Sequence, residues 1–290
     1  MKIDLPALAM GVVFAFMWSS AFATARIIVA DAPPLTALAL RFLISGVIAV
    51  TIARALGQSW HLTRAQWRGT AIFGVCQNGI YLGLNFTALQ WVEASLAAVI
   101  ASTMPLLVAL GGWAWFGQRL RPLGIAGLVA GFAGVALILG ARISGGSLPL
   151  GMVLCGIGTL GATVATLSVR GASSGGNLLM IVGLQMLLGS VLLGAAALAG
   201  ESFVVTWSGP LLAAFAYQIL VPGLAATLIW FLLVRRIGAV KAATFHFLNP
   251  FFGVATAAVL LGEPIRRVDL IGVGVVMAGI LAVQLSRQTE

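Results

Sequence analysis

ASLAAVIASTMPLLVALGGWAWF, residues Ala94 to Phe116, runs for 23 residues without a charge and has Pro105 near its centre. Ala239 to Leu261, AVKAATFHFLNPFFGVATAAVLL, repeats the arrangement around Pro250. Sliding one half of the chain onto the other by 145 residues, without a gap, also superposes Gly117 on Gly262, Arg121 on Arg266, Gly127 on Gly272 and Gly134 on Gly279. The chain reads as an internal duplication, with halves 1–145 and 146–290 forming one integral membrane unit.

The class follows from composition. Hydrophobic residues make up 61% of the chain and charged residues 8%, with a mean hydropathy of +1.10; a soluble domain carries roughly 25% charged residues. The net charge of +9 does not indicate nucleic acid, because the 16 Lys and Arg stand singly or in small groups between apolar runs and form no continuous basic face. Cys76 and Cys155 lie inside apolar runs without metal or redox spacing, so they read as packing residues and no cofactor is expected.

A hydrocarbon core about 30 Å thick needs about 20 apolar residues per helix. Cutting the chain at charges, Pro and Gly clusters gives ten segments, near 5–29, 34–55, 69–90, 94–116, 123–141, 148–169, 178–199, 211–233, 239–261 and 268–285. The expected fold is an all-α polytopic membrane protein of ten transmembrane helices, with the bilayer as its medium. The first segment has signal-peptide features, namely Lys2 before it and a small-x-small triplet at Ala21 to Ala23. It is read as a helix of the fold, since the second half has a matching segment after Leu148.

With the N-terminus inside, 11 Lys and Arg fall on the cytoplasmic side: Lys2, Arg54, Arg64, Arg68, Arg119, Arg121, Arg170, Arg235, Arg236, Lys241 and Arg287. Only Arg26, Arg142, Arg266 and Arg267 fall on the other, with Arg41 inside a span. The positive-inside rule therefore puts both termini in the cytoplasm. Five helices per half then make the two repeats inverted, an arrangement that places a binding site near the midplane and supports alternating access.

The candidate site residues are the polar, aromatic and helix-breaking groups of the spans. Pro105 and Pro250 break two helices at repeat-related midplane positions and are read as gating elements. Pro222 has Gln77 as its counterpart and lacks that symmetry. Gln77, Tyr81 and Asn85 recur at i, i+4 and i+8 with Asn78 beside them. Trp18, Ser19 and Phe22 stand mid-way along the first helix, Ser102 beside Pro105, and Gln185 in the seventh helix. Tyr217 and Trp230 belong to the eighth helix, and His246 and Asn249 flank Pro250. Thr163 lies in a Thr159, Thr163, Thr166 series whose hydroxyls more often bond their own backbone. Arg41 either neutralises a substrate carboxylate or serves the helix ends; the two readings stand equal.

All seven acidic residues fall in loops or at helix ends, which disfavours a proton-coupled antiporter for cationic drugs. A channel would show repeated polar motifs along a pore, whereas the repeats here share mostly Gly and Pro. An enzyme would need a nucleophile with a base, or metal ligands, and His61 and His246 have no partner at such spacing.

Taken together, Trp18-Ser19-Ser20-Ala21-Phe22, Leu40-Arg41-Phe42-Leu43, and the run from Ile237-Gly238-Ala239 through Pro250 to Leu261-Gly262-Glu263-Pro264 and Leu270-Ile271-Gly272 resemble the EamA-type family of the drug/metabolite transporter superfamily. The likeness covers nearly the whole chain. It implies a bacterial inner-membrane carrier exporting amino acids or other metabolites, with a cavity most similar to those of YddG-type amino-acid exporters. The expected partners are a small-molecule substrate and, in a monomer or homodimer, no nucleic acid. Two positions depart from the family pattern: Gln118 stands where Glu is usual and where the repeat counterpart is Glu263, and Thr163 where an aromatic is frequent.

Overall fold

In lipid the backbone must satisfy its own hydrogen bonds, so apolar runs of this length have no alternative to helix. The computed structural model describes residues 4–119, 121–144, 149–168 and 177–288; Lys2, Leu148, Arg170 and Glu290 lie outside them. The described part is all-helical. The helices are α1 (Leu5–Asp31), α2 (Pro34–Ala55), α3 (Arg64–Phe73), α4 (Gly83–Ala88), α5 (Ala94–Ala101), α6 (Met104–Phe116) and α7 (Pro122–Ser144) in the first half. The second half has α8 (Pro149–Ser168), α9 (Leu178–Gly200), α10 (Gly209–Gln218), α11 (Ala226–Ile237), α12 (Ala239–Thr244), α13 (Asn249–Leu261) and α14 (Arg267–Gln288).

Nine helical spans among the described residues are long and apolar enough to cross a membrane: six single helices, and three that run on through a break or a π stretch, α5 with α6, α10 with α11, and α12 with α13. The third expected segment is not among them: α3 passes through a π-helical stretch, Gly74–Leu82, into α4, and Gln77, Asn78 and Asn85 lower the apolar character of that run. A second π-helical stretch, Ile219–Ala225, joins α10 to α11. Its first residue, Ile219, is the repeat counterpart of Gly74. The sequence reading did not foresee either stretch, because a π register has no side-chain signature. Its use is plain at Pro222, which stands inside the second stretch: pairing each carbonyl with the N–H five residues on steps past the missing proline donor.

The proline breaks lie where the duplication puts them. α5 stops at Ala101 and α6 restarts at Met104, with Pro105 in its first turn. A 3₁₀ turn, Phe245–Leu248, separates α12 from α13, whose first turn holds Pro250. A proline at that point costs little, since the first N–H groups of a helix have no intrahelical partner. Both broken rods end on a left-handed glycine, Gly117 at φ 63° and Gly262 at φ 67°, a conformation that other residues adopt only under strain.

Packing repeats the same relation. α7 lies against α14, and a Cβ placed on Gly127 would come within 2.7 Å of the Gly279 carbonyl oxygen, while one on Gly279 would come within 2.6 Å of that of Gly127. Gly134 and Gly272 are related in the same way, at 2.9 and 3.1 Å. α2 and α9 meet similarly through Gly46 and Gly183. Each of these four helices thus packs against its own repeat counterpart with reciprocal contacts, as about a two-fold axis, and glycines let the backbones approach where hydrophobicity gives no preference for helix over lipid.

One end of the bundle gathers Asp31, Glu93, Glu201, Glu263 and Asp269, and we call it the acid-rich end. There Arg142, 2% exposed, is paired with both Glu93 and Asp269, and Arg26 donates to the Leu89 carbonyl. The other end carries the turns after α2, α6 and α11.

Candidate functional site

A small cavity opens where the two broken rods face α1 and the first π stretch. From the first half, Trp18, Ser19 and Phe22 on α1, Tyr81 on the π stretch, and Ala98, Ala101, Ser102, Met104 and Pro105 at the first break form its walls. His246 and Asn249, at the second break, complete it. Eight residues named from the sequence therefore meet here. Ala98 and Ala101 were not singled out. Their spacing of seven and four residues before Pro105 puts them on its face, and Ala98 also receives Gly253, whose absent Cβ would lie 2.4 Å from it.

Hydrogen bonding separates wall from scaffold. Ser102 Oγ donates to the Ala98 carbonyl at 2.6 Å and Thr103 Oγ1 to that of Ile100 at 2.7 Å, so the first break satisfies its own hydroxyls. At the second, His246 Nδ1 lies 3.1 Å from the Ala243 carbonyl. A carbonyl only accepts, so Nδ1 carries a proton, and in the neutral ring Nε2 is then the acceptor. Phe14 and Trp230 pack on the imidazole, with ring centroids at 5.4 and 5.1 Å; Trp230 supports the histidine from behind and does not line the cavity. Two buried wall atoms, Ser19 Oγ and Asn249 Oδ1, find no hydrogen-bond partner among the described residues. One comes from each half. Among the described residues no Asp, Glu, Lys or Arg reaches these walls.

The remaining expected site residues lie elsewhere. Asn78 donates to the Gln185 carbonyl at 2.9 Å, tying the first π stretch to α9. Asn85 donates to the Tyr81 carbonyl at 2.8 Å, and Gln77 is buried outside the cavity. The hydroxyls of Thr159, Thr163 and Thr166 all bond carbonyls four residues back. Tyr217 bonds Ser20 at 2.7 Å. Arg41, 5% exposed, donates to the Gln218 carbonyl. These side chains hold the helices around the cavity.

The EamA-like transporter family profile matches twice, over residues 5–140 and 149–285. The chain belongs to the EamA-like transporter family. It is a multi-pass membrane protein of a transporter family, not an enzyme family. Its relatives include the uncharacterized transporter YvbV of Bacillus subtilis, 25% identical over 94% of this chain and 90% of that one, and the uncharacterized inner membrane transporter YedA of Escherichia coli, 27% identical over 96% and 90%. The aromatic amino acid exporter YddG of Ancylobacter novellus is 32% identical over 44% of each chain. A crystal structure at 22% identity has the same fold, with a TM-score of 0.70 over 97% of this chain and 98% of that one.

Proposed function

We propose that this EamA-family transporter exports amino acids, including aromatic and apolar ones, across the cytoplasmic membrane by alternating access, with both termini and the end opposite the acid-rich one in the cytoplasm. The observation that carries the reading is the pair of unpartnered buried atoms, Ser19 Oγ and Asn249 Oδ1, facing one cavity from opposite halves. A buried polar atom without a partner costs about 1–3 kcal/mol, and a ligand supplying an acceptor or donor for the hydroxyl and an N–H for the amide oxygen removes that cost. Trp18, Phe22 and Tyr81 around the pair suit an apolar side chain. A net-neutral zwitterion needs no counter-charge, which agrees with walls free of Asp, Glu, Lys and Arg. The YddG relative supports the substrate class. Efflux of cationic drugs is the second reading, and the same uncharged walls count against it. Liposomes carrying the purified protein test the proposal: saturable uptake and counterflow of labelled phenylalanine or leucine are expected, and uptake of a lipophilic cation without amino-acid counterflow would reverse the order of the readings.

A further inference from the structure

The cross-half contacts at the two ends are alike in design and unlike in charge. At the acid-rich end Glu201, from the second half, accepts from the N–H groups of Leu35 and Thr36 at 2.7 and 2.8 Å and from the Thr36 hydroxyl, capping α2 of the first half. Glu263 caps α5 likewise, accepting from Ala94 and Ser95 at 2.7 and 3.1 Å. At the opposite end the N–H of Met180, the repeat counterpart of Leu35, donates to Gln58 Oε1 at 3.0 Å. Gln58 stands two residues beyond the strict counterpart of Glu201, and Gln118 is the strict counterpart of Glu263. Carboxylates thus cap both helix starts at one end, whereas a carboxamide caps the start of α9 at the other.

The surrounding charges add to the difference. The Arg142 to Asp269 contact joins the halves at 2.9 Å between side chains that are each 2% exposed, and Glu93 holds the same guanidinium. Gly124 and Gly238 occupy the counterpart positions of Asp269 and Glu93, so the acids of this ion cluster are not duplicated. The opposite end has the Arg236 to Asp4 pair at 2.8 Å, 48% and 38% exposed. Arg236 and the Ala7 N–H hold the Asp4 carboxyl below its ordinary range. An exposed pair of this kind contributes little, whereas a carboxylate on free helix N–H groups gains from both the charged hydrogen bond and the helix dipole.

We infer that Glu201 and Glu263, set against the neutral cap Gln58, bias the conformational equilibrium so that the carrier rests with its acid-rich end shut and the opposite end as the one that opens first. Inverted repeats alone would make the two closed states nearly equal in free energy, and a neutral cap at one end set against charged caps at the other removes that equality. This inference rests on the alternating-access reading but needs no particular substrate. In the orientation proposed above, the resting carrier faces the cytoplasm, where an exporter collects its load.

The test is a charge-conserving swap, Glu201→Gln with Gln58→Glu, in a protein whose Cys76 and Cys155 have been replaced by alanine. Spin labels at Gln90 and Ile265 report the acid-rich end and labels at Arg119 and Ile237 the other, by pulsed distance measurements in liposomes without substrate. In the parent the short distance should dominate at the acid-rich end. The swap should lower the ratio of shut to open there by about two- to fivefold, the effect of moving one charged cap, and shorten the distance at the other end. Gln58→Glu alone should do the same more weakly and serves if the double variant fails to fold. Distances that do not move in either variant, or a parent that is open at the acid-rich end, overturn the inference. Amino-acid counterflow in the same preparations keeps the two readings apart, since distances that shift without any flux leave the latch standing and remove the substrate assignment.

Discussion

Arg41 Nε donates to the carbonyl oxygen of Gln218 at 3.2 Å, the oxygen whose ordinary α-helical donor is missing because Pro222 stands four residues on. Gln218 Nε2 in turn donates to the Ala21 carbonyl and to Thr24 Oγ1, at 2.6 and 2.8 Å. A buried guanidinium thus links α2 to the end of α10, where the second π stretch begins, and the amide of Gln218 links that junction to α1. The corresponding tie at the first π stretch runs from Asn78 to α9. Each π stretch is therefore held to the second helix of the opposite half. We predict that Arg41→Gln lowers stability by about 1.5–3 kcal/mol, the range for a hydrogen bond made by a charged group, and leaves the KM for amino acid within about twofold. Thermal unfolding in detergent and uptake kinetics measure both. A tenfold rise in KM at unchanged stability would return Arg41 to the substrate.

The close approach of α7 and α14 gives a second prediction. A Cβ on Gly279 would meet the Gly127 carbonyl and the Gly131 N–H at 2.6 and 2.5 Å, and backbone cannot move aside as a side-chain tip can. Gly279→Ala should cost about 1–3 kcal/mol, as overpacking does. Gly274→Ala is the control, since nothing lies within 4 Å of its added Cβ, and it should be neutral. Equal melting temperatures for the two variants would contradict the packing.

The cavity gives a third. Ser19→Ala and Asn249→Ala should each raise KM about fivefold, the loss of roughly 1 kcal/mol of hydrogen bonding. Tyr81→Ala, a wall residue, should impair uptake more than Asn85→Ala, because Asn85 does not line the cavity and its Nδ2 is donated to the Tyr81 carbonyl. The reverse order would move the site toward the loop end of α4.

Much of this was legible in the sequence, and the reasons are specific. Pro105, Pro250, Gly117 and Gly262 fix backbone geometry directly, so their spacing announced the breaks and the turns that follow. Trp18, Ser19, Phe22, Tyr81, Ser102, His246 and Asn249 could be named because polar or aromatic groups in a span need a wet or packed partner. The choice between wall and scaffold was not legible. Asn78, Thr163 and Arg41 spend their polar atoms on carbonyls whose positions depend on helix register, and nothing in the side chains of residues 74–82 or 219–225 signals a π turn.

His246 yields a fourth prediction. With Nδ1–H donated to Ala243 and the ring packed on Phe14 and Trp230, it reads as a neutral hydrogen-bonding wall residue. His246→Gln should keep the pH dependence of transport while altering KM. Loss of pH dependence with binding retained would make the histidine a proton carrier.

The most direct measurement is counterflow of labelled phenylalanine into preloaded liposomes, comparing the parent protein with Ser19→Ala/Asn249→Ala. The account predicts saturable counterflow in the parent and a rise in KM of about 25-fold in the double variant, the product of two independent losses. Flux that never saturates in the parent, or identical kinetics in the double variant, would contradict a carrier whose substrate is held between the two proline breaks.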